Sequence, residues 1–288
     1  MPGRSSRVVL ATLAAVAVSS GCASQRPFLN VASKSKPVRL AVVQRALTKT
    51  LRSSGQFEET LNLTAGSVDV LTQQKSGSFD SSGKRIAMTV RFESSDPTMD
   101  VGAAVVQLRM FGDDLYMHMP AWRDARRGKW LKYTRKSLSS LAAQQGLDIS
   151  PTAAGRFVPS NLLGAIDDAR DGVTAARTRD GFVTYQLTLA ASDAVYALGN
   201  SVVKTLVSSG HDVSDLTGTV TVTVEQTPGG TIDLVKMDGT HMLRQASRLA
   251  GAPAQDVNKI DAFSTLRIFG LGRPFTATVP RGTQIYRK

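Results

Sequence analysis

The chain has 288 residues, 42% hydrophobic and only 6% aromatic, and its 35 Lys and Arg against 23 Asp and Glu give a net charge of +12. That is enough apolar chain for one large domain or two small ones, with a core drawn from Val, Leu, Ala and Met. One cysteine excludes an internal disulfide and any site built from several thiolates.

Arg4 and Arg7 open the chain, no acid precedes Cys22, and an apolar run extends from Val8 to Val18. A bilayer span needs about 20 apolar residues, so this run is too short to cross. A charged start, a short apolar stretch and small residues at a cut describe a secretory signal peptide over residues 1–21. Ser19, Ser20 and Gly21 followed by Cys22 resemble the bacterial lipobox, in which the thiol after the cut receives a diacylglyceryl group. Ser19 departs from that pattern, which prefers Leu or Val there; Val18 stands one step back. An ordinary signal peptide with a chance cysteine is the competing reading. The position of the sole cysteine favours the lipobox. The expectation is a protein held at the extracytoplasmic face of the cell membrane through Cys22. Without Arg4 and Arg7, 33 basic residues face 23 acids, or +10. Outside the cell that balance points to anionic headgroups or wall polymers, not to nucleic acid.

Residues 22–36 are polar and aperiodic and read as the lipidated cysteine and a flexible tether. Pro37 is expected to open a helix, with Val38, Val42, Ala46 and Val43, Leu47, Leu51 at spacing four, ending at Ser53-Ser54-Gly55. The period then becomes two. Leu61, Leu63 and Ala65 alternate with polar neighbours, as do Ile86, Met88, Val90 and Phe92, then Val106, Leu108 and Met110. Gly112-Asp113-Asp114 predicts a turn into Leu115, Met117 and Met119, and Trp130 to Tyr133 predicts a short strand. Ser137 and Ser160 are expected to cap helices, the second carrying Leu162, Leu163, Ile166 and Ala169. Val173 to Thr178 and Val183 to Leu189 predict a strand pair joined at Asp180-Gly181. Ser192 is expected to cap one longer helix with Val195, Leu198, Val202 and Leu206 inward, stopped at Gly210. Val220, Val222 and Val224 alternate with threonines; Pro228-Gly229-Gly230 turns the chain into Ile232 to Met237. His241 to Leu249 is ambiguous. Ala262 to Phe269 and Phe275 to Val279 are expected to close the chain as strands.

Runs of strands broken by helices, without regular strand–helix alternation, predict an α+β fold. The expected form is a single strongly curved antiparallel sheet, a half-barrel, with helices covering its apolar concave face, in one domain over residues 37–288.

Certain patches carry a family resemblance. They are Leu115-Tyr116-Met117, Gly128-Lys129-Trp130-Leu131-Lys132, Val158-Pro159-Ser160-Asn161-Leu162-Leu163, and Phe269-Gly270-Leu271-Gly272-Arg273-Pro274-Phe275 through Val279-Pro280. With the lipobox and the order of elements, the chain resembles the LolA-like lipoprotein carriers, nearest the actinobacterial LppX/LprA/LprF/LprG group. The resemblance implies a non-enzymatic monomer whose sheet and helices enclose an apolar cavity for the acyl chains of a lipid or lipoglycan, for transport within the cell envelope. The residues themselves supply the candidate lining: Ile86, Met88, Val90, Val106, Leu108, Met110, Leu115, Met117, Leu187, Leu189, Val220, Val222 and Val224. Flexible methionines and small aliphatics leave bulk to be filled. A filled core in a structural or regulatory lipoprotein acting through protein contacts is the alternative.

No catalytic signature emerges, so an enzyme, a cofactor and a metal are not expected. His118, His211 and His241 share no ligand spacing. Ser33-Lys34-Ser35-Lys36 fits S-x-x-K only inside the tether, and Gly270-Leu271-Gly272 lacks a third glycine and a following helix. Asp113-Asp114 and Asp167-Asp168 are neighbours that point apart. The stretch from Trp122 to Lys136 combines cations with rings. Arg123, Arg126, Arg127, Lys129, Trp130 and Lys132 are the candidate contact with an anionic surface; a solvated hairpin is the plainer reading.

Overall fold

A computed structural model of the chain describes residues 36–66, 68–93, 105–134, 160–169, 171–177 and 180–286. Cys22, the signal peptide, the tether up to residue 35 and the helix expected after Ser137 lie outside these residues, as do Arg135, Lys136, Pro159 and Thr178.

The first strand is β1, Lys36–Val38, followed by α1, Ala41–Leu51. Six strands then run in sequence: β2 Gly55–Ala65, β3 Val68–Phe79, β4 Arg85–Glu93, β5 Val105–Phe111, β6 Asp114–His118 and β7 Leu131–Thr134. Helix α2, Asn161–Asp168, precedes β8 Asp171–Arg177 and β9 Val183–Ala190. Helices α3, Ala191–Leu198, and α4, Asn200–Ser208, lead to β10 Thr219–Gln226 and β11 Ile232–Asp238. Helices α5, Thr240–Leu249, and α6, Ala254–Val257, precede β12 Ile260–Phe269.

The fold is α+β. All twelve described strands form one antiparallel sheet, ordered β1-β8-β9-β10-β11-β12-β2-β3-β4-β5-β6-β7, which does not close into a barrel. Beside the edge strand β1, it consists of two meanders, β2 to β7 and β8 to β12, joined where the last strand returns beside β2 from Ile260 opposite Ala65 to Phe269 opposite Gln56. Helices α1, α2, α3 and α5 pack on the β9–β12 part of one face. Here the alternation read from the sequence has its cause: inward residues of successive strands share a level and bury together. Val220, Val222 and Val224 stand beside Leu189, Leu187 and Tyr185 and are all buried.

The helices fit by their apolar stripes. Ser160 caps α2 as expected, its hydroxyl accepting from the Leu162 amide at 3.1 Å, and Leu162, Leu163 and Ile166 are fully buried. In α1, buried Thr50 donates to the Ala46 carbonyl and accepts from the Ile232 amide, both at 2.8 Å. The helix is thereby fixed to the start of β11 with neither polar group left unmet.

Several expectations are corrected. Pro37 does not open a helix; it sits in β1 opposite Thr174, and the helix begins at Ala41. β1 pairs on one side only, and an edge strand tolerates a missing N–H. Ser192 does not cap a long helix: α3 begins at Ala191 without a side-chain cap, and Gly199, at φ +116°, separates it from α4. A residue with a Cβ resists that angle, which is why the break falls at glycine. Val195, Leu198, Val202 and Leu206 are nonetheless all buried, on two helices. His241 to Leu249 is helical. Phe275 to Val279 forms no strand; the chain after β12 runs across the outer face of the sheet, and Pro274 and Pro280 could not donate to a ladder.

Strand β3 is the largest element the alternation does not reveal. Its helix-side positions, set by pairing with β2, are Leu71, Gln73, Lys75, Gly77 and Phe79. At Gly77 a Cβ would stand 2.2 Å from the Ala87 carbonyl oxygen and 2.8 Å from Met88 Cα, so β3 and β4 approach there as only glycine allows.

Candidate functional site

The thirteen apolar residues picked from the sequence fall on one face of the sheet, and all are buried. The register shows this strand by strand. Ile86 faces Met110, Met88 faces Leu108, and Val90 faces Val106. Leu108 and Met110 in turn face Met117 and Leu115. On the other meander Leu187 faces Val222, and Leu189 faces Val220. Phe57, Leu61, Leu63, Leu266 and Ile268 fill the same face across the junction of β2 and β12. Phe92 lies in β4, but its side chain is outside the described residues.

A polar group interrupts this face near its centre. Glu59 on β2 stands directly opposite Lys75 on β3, and Lys75 Nζ lies 3.2 Å from Glu59 Oε2. The two side chains are only 3% and 9% exposed. The approach is that of an ion pair but not along a hydrogen bond, and Oε2 has no donor among the described residues. On the other side of β2, Ser264 of β12 faces Leu61, one same-face step from Glu59. It is 1% exposed, and its hydroxyl also lacks a partner among the described residues. The sequence reading missed all three residues. It assigned polar side chains to the wet face; Glu59 lies in phase with Leu61 and Leu63 on the buried one, and the β2–β3 register brings Lys75 there beside it.

The opposite face holds the basic and aromatic stretch. Trp130 is buried there beneath Arg109, whose guanidinium carbon lies 4.6 Å from the ring centre. His118 lies against both tryptophans, 5.3 Å from Trp130 and 6.4 Å from Trp122. Burial is the main influence on His118 and holds its imidazole below the usual histidine value, and the nearby Arg109 charge acts the same way. The end of the chain completes the layer. Arg109 donates to the Thr278 carbonyl at 2.9 Å, Lys129 to that of Thr283 at 2.7 Å, and Trp130 exchanges backbone bonds with Gln284 and Tyr286. Of the candidate surface residues, Arg126 pairs with Asp124 and lies over Trp122, and Lys132 pairs with Asp114 at 2.8 Å. Arg123 donates to the Pro120 carbonyl, and Arg127 is exposed.

A second basic surface lies on α1. Arg45, Lys49 and Arg52, at spacings of four and three, form one exposed stripe opposite buried Val43, Ala46 and Leu47. Lys49 donates to the Gly229 carbonyl at 2.6 Å, and no described carboxylate pairs with any of the three. Residues 23–57 hold seven Lys and Arg and no acid. They carry +7 of the +10 that follows Cys22, leaving +3 for the remaining 231 residues.

Among the described residues no group of three or more His, Cys, Asp or Glu converges as metal ligands would. His211 lies 3.3 Å from Asp215, and His241 is exposed. No described helix is long and apolar enough to cross a membrane. No protein-family model matches the chain, and no curated protein matches it.

Proposed function

We propose that this chain is a lipoprotein, anchored through diacylglyceryl on Cys22 at the extracytoplasmic face of the cell membrane, that encloses the acyl chains of a lipid or lipoglycan and carries it within the cell envelope. On this reading it belongs with the LolA-like carriers nearest the LppX/LprA/LprF/LprG group and works as a monomer without catalysis. The carrying observation is the single apolar face that the two meanders build jointly, with helices laid on it. The finer form proposed is a half-barrel with that face concave. Native twist bends a sheet of this width, and the close approach at Gly77 lets β3 follow β4 through the bend. The charge distribution fits the anchor. The seven cations of residues 23–57 would lie next to the lipidated cysteine, where each contributes about 1 kcal/mol of attraction to anionic headgroups.

The test is mass spectrometry of an organic extract of purified, non-acylated protein. Stoichiometric lipid is the expected result. A reproducibly lipid-free protein that also takes up none from vesicles overturns the carrier. It would leave the competing reading, a filled core acting through protein contacts, which draws on the same near-complete burial of Leu187, Leu206 and Met242.

A further inference from the structure

Resting on the carrier reading, we infer that the buried polar group at Glu59, Lys75 and Ser264 is a recognition site for a neutral hydroxyl or amide N–H set among the apolar chains of the ligand.

Two polar atoms without hydrogen-bond partners among the described residues lie on one apolar face, on adjacent strands one same-face step apart. Buried polar groups are almost always satisfied, so each such atom requires an explanation. An ion pair that served only to fix the register of β2 and β3 would account for Glu59 and Lys75. It would not account for Ser264, which lies across the other edge of β2 from Lys75.

The chemistry of the atoms selects the ligand. An ionised carboxylate only accepts, so Glu59 Oε2 calls for a donor, and the Ser264 hydroxyl both donates and accepts. A ligand hydroxyl meets both, donating to Oε2 while accepting from Ser264 Oγ. An amide N–H meets the carboxylate, and its carbonyl can accept from the serine. A phosphate or free carboxylate would bring a second anion against Glu59 and is disfavoured. Charged headgroups would therefore sit away from this point, and the neutral linkage between head and chains would sit at it. Glu59 keeps its charge tolerable because Lys75 stands 3.2 Å away. Lys75 is thus a positioning and neutralising residue, with the contact to ligand made by Glu59 and Ser264.

The experiment compares a long-chain monoacylglycerol with the methyl ester of the same fatty acid. Both compete against an environment-sensitive apolar dye on the purified full chain. The monoacylglycerol is expected to bind at least about tenfold more tightly, the worth of one hydrogen bond to a charged group. Ser264→Ala should remove much of that preference. Glu59→Leu combined with Lys75→Met, which deletes the pair together, should remove the rest. Equal binding of the two probes by the wild-type chain overturns the inference and leaves the carrier standing. So does an undiminished preference in Ser264→Ala, which keeps the test decisive if the double variant does not fold. Binding of neither probe overturns the carrier reading itself.

Discussion

Arg109 stacks its guanidinium 4.6 Å over the ring of Trp130 while donating to the Thr278 carbonyl at 2.9 Å. One side chain on β5 thus joins the tryptophan entering β7 to the segment that ends the chain. Its loss removes a half-buried cation–π contact and a charge-assisted hydrogen bond together. Arg109→Ala should lower stability by about 1–3 kcal/mol and expose residues 270–286 to proteases. Arg109→Lys, which keeps the charge but not the planar fork, should fall between. An unchanged urea midpoint and cleavage pattern would refute the role assigned to this residue.

His118 predicts a stability change near neutral pH. Burial first, and then the Arg109 charge, lower its folded pKa. Between that lowered value and the unfolded value of about 6.5, the unfolded chain binds more protons. The stability from neutral, buried His118 is therefore complete above about pH 6.5 and declines as pH falls below it. His118 Nδ1 lies 3.3 Å from Gln107 Oε1, and His118→Gln, whose amide can keep that contact, should flatten the denaturation midpoint between about pH 7 and 5.

Asp80 governs a lower range. Burial alone would raise its pKa, but hydrogen bonds from the Arg85 side chain, Ser82 and the Arg85 amide together bring it down. Its contribution is present above the unfolded carboxylate value and is lost as pH falls through the lower folded one. Asp80→Asn should cost about 1–2 kcal/mol at pH 7, discounted because Arg85 is half exposed. That cost should vanish in acid. A cost persisting undiminished at about pH 2 would show that shape, not charge, holds this turn.

Leu187→Trp probes the apolar face. Leu187 is fully buried opposite Val222. In a filled core the added volume should cost about 1–3 kcal/mol. Above an enclosed ligand the ring should displace lipid, with little loss of stability. A marked drop in the denaturation midpoint, in a protein that carries no lipid before or after the change, would contradict the carrier.

Charge reversal separates the two basic surfaces. Arg45→Glu, Lys49→Glu and Arg52→Glu together should weaken flotation with anionic vesicles at low salt, since no described acid offsets these cations. Reversing Arg123, Arg127 and Lys129 should do less, because Asp114 and Asp124 stand among the cations of that surface, whereas residues 23–57 hold seven cations and no acid. The opposite ranking would place the membrane-facing side on the β6–β7 end of the sheet.

The legible parts of the fold are those where one physical cause dominates. β4, β5 and β10 bury every second residue against aliphatic neighbours, so period two reads directly. Ser160 before Leu162 and Leu163 reads as a cap because a local hydroxyl satisfies a local amide. The illegible parts depend on distant partners. β3 carries Gln73, Lys75 and Gly77 at inward positions and shows no apolar alternation. The start of α1 was misplaced because Pro37 suits a helix start and an edge strand equally, and only β8 decides between them. The apolar part of the candidate site was readable for the same reason as the strands. Glu59 and Ser264 were not, because polarity in a strand normally marks the wet side. The pairing of Lys132 with Asp114 across β6 and β7 likewise has no local signature.

Among the described residues the open sheet of twelve strands ends on two brief strands. β1 spans three residues with a proline at its centre, and β7 spans four with a lysine among them. Molecules crowded on a two-dimensional surface meet one another often, and long bare sheet margins would let them zip into ribbons. These margins offer a neighbour only a few rungs, one lacking its amide and another bearing a charge. If the proposed lipid anchor holds, dense packing on a membrane would therefore concentrate this protein without driving it to polymerise through these described margins.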